Sequence, residues 1–196
     1  MAAPLADDAL DRVFRTARTF NGYTDAPVGE DRLRAIWDLM KWGPTSANQE
    51  PARIVWCVSQ AAKDKLADCA SATNAAKIRK APVAAVIGMD LEFHEKLPRL
   101  FPHTDARAWF AGNARLIEES AFRNSTLQGA YFIVAARLLG LDTGPMSGFD
   151  PAKVDAAFFA GTAYRVNFIA TLGYGDPAGL HPRLPRLDFE DANQIA

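Results

Sequence analysis

The chain has 196 residues, of which 49% are hydrophobic and 23% charged, and its formal net charge is −1. This composition is typical of one globular domain with a sizeable core, and we expect a single domain over residues 1–196. The charge gives no general attraction to nucleic acid or to anionic membranes, and no apolar run reaches the ~18 residues that a membrane-spanning helix needs.

The first residues and the cysteines indicate a cytosolic protein. The chain begins MAAPLADDALDRVF, which lacks the basic start and apolar block of a secretory signal. Cys57 and Cys69 have no metal-binding or redox spacing, and the three histidines show no metal spacing either. We therefore expect a cytoplasmic location, reduced thiols and no metal site.

Helical and strand patterns follow one another irregularly along the first half of the chain. Apolar spacing predicts the following elements: helices over about 7–17, 33–40 and 61–70, and strands over 54–58 and 81–89. The second helix is ended by Gly43-Pro44. Residues 90–112 show no secondary-structure pattern.

The second half contains the longest helical run, residues 114–139. From Leu127 onward this helix is apolar around most of its circumference, which favours a subunit interface because such a helix must be covered on all sides. A Gly- and Pro-rich turn is predicted over 140–150, followed by a helix to about 159 and a strand over 164–175. The tail has too few apolar groups to pack on itself. The absence of a regular βαβ rhythm predicts an α+β layered domain with a central sheet.

Two polar stretches in the first quarter of the chain are candidate ligand-binding segments. FRTARTF places Arg15, Thr16 and Arg18 near a helix end, where guanidiniums and a hydroxyl can bind a phosphate through charge-assisted hydrogen bonds. The connection WGPTSANQE is rich in short hydrogen-bonding side chains: Thr45, Ser46, Asn48 and Gln49. Taken singly, the first stretch also fits a solvated helix end, and the second an ordinary loop.

Two further stretches carry weaker signals. Asn74 and Lys77 are spaced i, i+3, so that both lie on one helical face and could contact the same polar ligand. In GLDTGPMSGFD, Gly148 would let a backbone N–H approach a ligand closely. This second stretch also fits a plain connection between two helices.

In this order along nearly the whole chain, the stretches resemble the FMN-dependent nitroreductase family. Four family patterns are matched: R-[ST]-x-[RK]-x-F at 15–20, P-[ST]-S-x-N at 44–48, G-L-x-x-x-P-x-x-G-F-D at 140–150, and a basic residue before L-x-x-E at 186–190. Two residues depart from the family. Phe14 stands where the family often has a basic residue, and Ala52 where a tryptophan is common. Segments such as TFNGYTDAPV look most like the malonic semialdehyde reductase branch, which is tied to pyrimidine breakdown.

The resemblance implies a three-layer α-β-α fold, a mixed and mainly antiparallel sheet, and an extended C-terminal tail that reaches the partner subunit of a homodimer. It implies that FMN lies at the dimer interface and is held by these residues: Arg15, Thr16, Arg18, Pro44, Thr45, Ser46, Asn48, Asn74, Lys77, Pro145, Met146, Ser147, Gly148 and Arg186. Ser147 and Gly148 would lie near N5 of the flavin, and no dedicated acid or base is required.

The implied activity is hydride transfer from NADH or NADPH through the flavin to a small acceptor, in this branch malonic semialdehyde, giving 3-hydroxypropionate. A broad nitroaromatic or quinone reductase and a non-catalytic flavin-binding or assembly protein remain as alternatives. The segment 90–112 is predicted to be either a lid over the flavin or a loop that covers core. As a lid it would supply substrate-binding residues, with one more from the long helix: Arg99, Phe101, Arg107, Trp109 and Arg123.

Overall fold

The computed structural model describes residues 3–196. Its helices are α1 (Asp7–Leu10), α2 (Glu30–Met40), α3 (Gln60–Ala67), α4 (Ala72–Lys80), α5 (Leu97–Leu100), α6 (Ala114–Leu138), α7 (Pro151–Phe158) and α8 (Phe189–Ala192). Its strands are β1 (Ala52–Cys57), β2 (Val83–Asp90), β3 (Asp142–Met146) and β4 (Tyr164–Gly173). The first helix continues as a π-helical stretch, Asp11–Arg15, so that it ends two residues before its predicted end.

One four-stranded sheet, in the order β1-β2-β4-β3, forms the centre of the fold. Its neighbouring strands all pair antiparallel, and a parallel bridge joins Thr19 to Thr143 beside β3. Every residue of β2 is buried, which explains why its sequence is a continuous apolar run rather than an alternating one. The predicted mainly antiparallel central sheet is therefore confirmed.

Helices cover both faces of this sheet and make the three-layer arrangement. On one face α2 and α6 pack through Ile36 and Phe132. On the other face α3, α4 and α7 pack through Leu66, Ile78 and Val154. Successive residues of β2 contribute to the two cores in turn, as the pleat of a strand requires.

The strand β3 corrects the prediction that residues 140–150 form only a turn. Its sequence, DTGPM, has little strand propensity of its own, but it pairs in register with β4 from Asp142–Gly173 to Met146–Ile169. Pro145 is tolerated because β3 lies at the edge of the sheet. Pairing with β4 therefore decides the conformation here, rather than local propensity.

The segment 90–112 also differs from its prediction, because it contains local helical structure. Two 3-10 helices, Phe93–Lys96 and Ala106–Trp109, flank α5. Phe93 and Phe110 are buried in an apolar cluster together with Ala121 of α6, and the two phenylalanine rings meet edge to face with their centroids 4.9 Å apart. The segment thus covers part of the core, as one of its two interpretations predicts.

A buried ion cluster fixes the point where this segment leaves the sheet. Asp90, at the end of β2, is fully buried, and its Oδ2 lies 2.6 Å from Arg53 Nη2 and 2.6 Å from Lys96 Nζ. Its Oδ1 accepts a hydrogen bond from the backbone N–H of Glu92 at 2.8 Å. A buried carboxylate needs such partners, and they join β1, β2 and the first 3-10 helix.

The long helix α6 confirms the predicted run and shows two different sides. Between Ser120 and Gln128 it buries four polar side chains: Ser120, Asn124, Ser125 and Gln128. Its second half buries Phe132 and Ala136 in the core, while Leu127, Tyr131 and Leu138 stay 46%, 41% and 48% exposed. A row of large apolar side chains therefore remains uncovered along this helix within a single chain.

The C-terminal tail has little contact with the rest of its own chain. All residues from 181 to 196 are exposed, and a short helix, α8, interrupts the extended path. Two arginine contacts hold its start: Arg18 donates to the carbonyl oxygen of His181, and Arg183 Nη2 donates to the carbonyl oxygen of Ala17 at 2.9 Å. This agrees with the expectation that the tail does not pack on itself.

Candidate functional site

The first candidate segment lies in a cleft that it forms with the C-terminal tail. The cleft has a volume of about 470 Å³ and contains no carboxylate among its lining residues. Six basic side chains line it: Arg15, Arg18, Arg137, His181, Arg183 and Arg186. The structure therefore brings together three predicted phosphate-binding arginines and adds two more, Arg137 and Arg183. Such a concentration of guanidiniums is suited to a phosphate group.

Within this arginine cleft, Arg15 is already paired with carboxylates. Its Nη1 lies 2.7 Å from Asp7 Oδ1 and 3.2 Å from Asp11 Oδ1. The hydrogen bond to Asp7, and then that to Asp11, raise the pKa of Arg15. Thr16 Oγ1 donates to the carbonyl oxygen of Asp11 at 2.9 Å, and Thr16 lines an adjoining cleft of about 400 Å³ rather than the arginine cleft. Of the three predicted ligand-binding residues of this stretch, Arg15 and Arg18 therefore line the arginine cleft and Thr16 does not.

The turn at 145–148 meets α4, so that two predicted stretches come together. Asn74 Nδ2 donates to the carbonyl oxygen of Gly148 at 3.1 Å, and the backbone N–H of Ser71 donates to the same oxygen at 3.0 Å. A Cβ at position 148 would lie 2.6 Å from Asn74 Nδ2, so that only glycine fits without displacing that side chain. Lys77 is half-buried one turn further along α4.

A wide cleft beside the same turn is mainly apolar and has a volume of about 430 Å³. The turn contributes Pro145, Met146 and Ser147. The other lining residues come from α6 and β4: Phe122, Thr126, Gly129, Ala130, Ile133, Asn167 and Phe168. Apolar walls with a few polar groups are typical of sites that hold a small organic ligand such as an aromatic ring, and this cleft is called the ring cleft below.

Asn167 is a residue of this ring cleft that the sequence did not reveal. In the pairing of β2 with β4, Ile87 is opposite Phe168 and Gly88 is opposite Val166, so that Asn167 is an extra, bulged residue. A bulge redirects side chains, and it lets Asn167 and Phe168 line one cleft although they are neighbours in a strand. Asn167 Nδ2 donates to Ser125 Oγ at 2.8 Å and to Thr126 Oγ1 at 2.9 Å. The available signal was an amide between the apolar residues Val166 and Phe168.

The polar loop 44–50 lies elsewhere, against α5 and the first half of α6. The backbone N–H of Ser46 donates to Asn124 Oδ1 at 2.8 Å, and Asn48 Nδ2 donates to the carbonyl oxygen of Leu100 at 2.9 Å. Ala47, Asn48 and Glu50 have φ of 50°, 49° and 40°, in the left-handed region. No residue from 44 to 48 lines the arginine cleft or the ring cleft. Within a single chain, the predicted flavin residues Pro44, Thr45, Ser46 and Asn48 therefore stay apart from the others.

The predicted substrate-binding residues differ in exposure and in whether their side chains already have a partner. Arg107 forms a two-point ion pair with Glu95, Nε–Oε2 2.6 Å and Nη2–Oε1 2.7 Å. This hydrogen bonding raises the pKa of Arg107 and lowers that of Glu95. The three other exposed members of the predicted set are Arg99, Trp109 and Arg123. The half-buried ring of Phe101 contacts that of Trp109, with their centroids 6.1 Å apart.

Residues 3–196 contain neither a cluster of metal ligands nor a membrane-spanning helix. In that range, no three His, Cys, Asp or Glu side chains lie close enough together to hold a metal ion. Across the same residues, every helix is too short or too polar to cross a bilayer.

Comparisons with known proteins point to one family. The pattern of the Nitroreductase family matches residues 15–174. A protein of Burkholderia lata with the provisional name NADH dehydrogenase/NAD(P)H nitroreductase is 62% identical over 191 residues, which cover 97% of this chain and 98% of that one. A protein of Stenotrophomonas maltophilia strain K279a with the same provisional name is 61% identical over the full length of both chains.

A solved structure agrees at the level of the fold. It is a provisionally named nitroreductase of Exiguobacterium sibiricum in complex with FMN, and it has a TM-score of 0.84, 19% sequence identity and coverage of 100% of both chains.

Proposed function

This chain belongs to the nitroreductase family, and we propose that it is an FMN-dependent oxidoreductase that takes hydride from NADH or NADPH and transfers it to a small acceptor. The observation that carries the proposal is the position of two complementary clefts on one chain. One is a cleft lined by arginines and free of carboxylates, and the other is an apolar cleft beside the 145–148 turn. The names of the relatives, which mention NAD(P)H, and the FMN in the similar structure support the same choice.

The residues present fit FMN on three counts. The arginine cleft matches a phosphate dianion, because guanidiniums bind phosphate oxygens through paired N–H donors. The ring cleft offers apolar walls to a flat ring. The backbone N–H groups of Ser147 and Gly148 have no acceptor among residues 3–196, so that both are available to a ligand.

When bound, FMN supplies a ring that accepts a hydride and passes it on. The chain itself would bind and orient FMN and would exclude water from the reacting edge of the ring. Arg18 and Arg186 would hold the phosphate, and the backbone N–H groups of Ser147 and Gly148 would donate hydrogen bonds to the reacting edge of the ring. Phe122 and other apolar walls of the ring cleft would keep water from that edge. The acceptor also takes up a proton, which solvent supplies, so that no dedicated acid or base of the chain is required.

We also propose that the protein acts as a homodimer with FMN at the interface. Support comes from the polar loop: residues 44–48 carry a family pattern, yet in a single chain they line neither cleft. A second copy of the chain would bring its loop to the site. The uncovered apolar row of α6 supports the same arrangement.

For the acceptor, we propose malonic semialdehyde, reduced to 3-hydroxypropionate. The support is the resemblance of several segments to that branch, together with the exposed cations Arg99 and Arg123, since an aldehyde acid needs a cation for its carboxylate. Arg107 is a weaker candidate because its guanidinium already forms an ion pair with Glu95. A broad nitroaromatic or quinone reductase is the second candidate, favoured by the apolar lining of the ring cleft and by the names of the relatives.

One spectrum and one set of turnover measurements test these proposals. We expect a yellow protein that releases FMN on denaturation and that NADH or NADPH bleaches without oxygen. A protein that cannot be loaded with FMN would contradict the proposal and favour a non-catalytic role.

The acceptor is tested by steady-state turnover of malonic semialdehyde, menadione and a nitroaromatic compound. We expect Arg99→Ala or Arg123→Ala to raise KM for the aldehyde acid far more than for menadione, because menadione has no carboxylate. Arg34→Ala is the matched control, since Arg34 is an exposed arginine paired with Glu30 on α2. Equal effects on both acceptors would exclude the acid substrate or place its arginine elsewhere.

A further inference from the structure

The arginine cleft contains a cation that the family patterns do not supply. Arg137 lies in the last turn of α6, far along the chain from residues 15–18. Its Nη1 donates to the carbonyl oxygen of Val13 at 2.8 Å. In the opposite direction, Arg12 Nε donates to the carbonyl oxygen of Arg137 itself at 2.8 Å. Two hydrogen bonds thus fix the end of α6 against the first helix, beside residue 14.

Position 14 is where the chain departs from its family. Phe14 lines the arginine cleft but is 62% exposed and brings no charge to it, at the position where the family pattern that the sequence resembles often has a basic residue. Arg137 lines the same cleft and is bonded to the carbonyl group of the residue directly before Phe14. A guanidinium is therefore present at the place where the pattern lacks one.

The guanidinium of Arg137 has less counter-charge around it than that of Arg15. Arg15 contacts two carboxylates, while no described residue forms an ion pair with Arg137. Arg137 Nε is buried and has no hydrogen-bond acceptor among residues 3–196. Burial lowers the pKa of Arg137, and the charge of Arg183 adds to this, against an opposing effect of Asp142. An anion in the cleft would supply the missing negative charge.

We propose that Arg137 binds the phosphate group of the ligand in the arginine cleft and takes the role of the basic residue that Phe14 replaces. The inference rests on the proposed binding of FMN, whose phosphate is the only part of the flavin that carries two negative charges. It predicts that Arg137 distinguishes FMN from riboflavin, which has the same ring and no phosphate.

The test measures dissociation constants of the flavin-free protein for FMN and for riboflavin by quenching of flavin fluorescence. We expect Arg137→Met to weaken FMN binding by about tenfold or more, because a charge-assisted hydrogen bond is lost, and to leave riboflavin binding unchanged. Arg115→Met is the matched control, an exposed arginine on the same helix that pairs with Glu119, and it should change neither constant. Adding Phe14→Arg to Arg137→Met should restore most of the affinity for FMN.

Several results would overturn the inference: an unchanged FMN constant in Arg137→Met, an equal loss for FMN and riboflavin, or no gain from Phe14→Arg. If Arg137→Met does not fold, Arg137→Lys replaces it, and we expect an intermediate loss because an ammonium cannot donate in two-point geometry. Failure of the parent protein to bind FMN would instead contradict the proposed function. In that case the test uses inorganic phosphate, with chloride at equal ionic strength as the reference. We expect phosphate to raise the melting temperature of the parent more than that of Arg137→Met. An equal rise in the two proteins would overturn the inference.

Discussion

Individual arginines of this chain differ in what they can still bind, and their neighbours determine the difference. Arg15 has two aspartates within ion-pair distance, and Arg107 is held at two points by Glu95. The guanidinium of Arg137 donates to one backbone carbonyl group, that of Val13, and its buried Nε has no acceptor among residues 3–196. Residue type and position in a motif do not reveal these differences, because they arise from the partners that the fold provides.

Gly148 is a residue whose replacement should act on the site through one defined contact. In Gly148→Ala, the new Cβ would lie 2.6 Å from Asn74 Nδ2. Because Asn74 must then rotate away, its hydrogen bond to the carbonyl oxygen of residue 148 is lost, and we expect the free energy of unfolding to fall by about 0.5–1.5 kcal/mol. FMN affinity should fall as well.

Thermal melting and flavin titration check this expectation. Gly22→Ala is the control, since no atom lies within 4 Å of a Cβ at that position. A Gly148→Ala variant that behaves like Gly22→Ala in both measurements would show that the contact between the turn and α4 is unimportant.

The thiol of Cys57 should make stability depend on pH in the alkaline range. Burial raises the pKa of Cys57 from 9.0 to about 11, with Lys65 opposing the shift. Between these two pKa values the native state keeps a proton that the unfolded chain releases. The stabilisation that the protonated thiol gives to the native state is therefore complete below pH 9 and is lost as pH rises to about 11. The expected slope is at most about 1.4 kcal/mol per pH unit.

Urea unfolding at several pH values measures this slope. Cys57→Ala has no thiol and should show a shallower fall of stability with pH than the parent. Parallel pH profiles for the two proteins would exclude Cys57 as the cause.

Among the elements, α6 combines two environments on one helix. Its middle part, from Ser120 to Gln128, buries amide and hydroxyl groups, among them Gln128, whose Oε1 accepts a hydrogen bond from the backbone N–H of Ala52 at 2.8 Å. Its second half presents Leu127, Tyr131 and Leu138 outward. Burial of such an apolar row stabilises a protein, and a second copy of the chain presents the same row for a two-fold symmetric contact.

Replacement of Leu127 tests whether α6 forms the contact between subunits. We expect the parent to be a dimer and Leu127→Arg to raise the dimer dissociation constant by roughly tenfold or more, because the interface would have to bury an unpaired charge. Sedimentation velocity over a concentration series measures this constant. Leu5→Arg is the control, an exposed leucine outside α6. A parent that stays monomeric at micromolar concentration and still holds FMN would contradict the dimer.

Most elements could be predicted from the sequence, and the exceptions have two causes. Long apolar periodicity identified α2 and α6, and the apolar run of β2 identified a buried strand. The strand β3 was missed because it depends on pairing with β4. The short helices within 90–112 were missed because three or four residues are too few to show a period.

Considered as a whole, the molecule assembles its candidate site from distant parts of the chain. The arginine cleft joins residues 14–21, the end of α6 and the tail around 181–186, and the ring cleft joins α6, β3 and β4. The sequence revealed Arg15, Arg18 and Arg186 because they lie in recognisable motifs. It could not reveal Arg137, since a single arginine near a helix end forms no pattern, or Asn167, since a bulge depends on the partner strand.

The tail provides a test at this scale. No side chain from 187 to 196 is buried, although Leu187 and Phe189 are large and apolar. We expect deletion of residues 187–196 to leave the fold of the single chain intact, because its core loses nothing, and to weaken the dimer if the tail reaches the partner subunit. Circular dichroism reports the first effect, and sedimentation at several concentrations reports the second. An unchanged dimer would contradict the proposed role of the tail.

The left-handed loop at 47–50 has a consequence for how the protein could be engineered. Residues with a Cβ are disfavoured at such φ values by roughly 1–2 kcal/mol each, while glycine is not. Asparagine is tolerated in this conformation, so that the cost falls on Ala47 and Glu50, and this chain is less thermostable than its fold allows, as natural sequences commonly are. Exchange of Ala47 for glycine would relax the backbone and let the loop sample other shapes. A more heat-resistant protein made in this way would therefore hold the loop less rigidly at the place beside the flavin that the proposed homodimer gives to it.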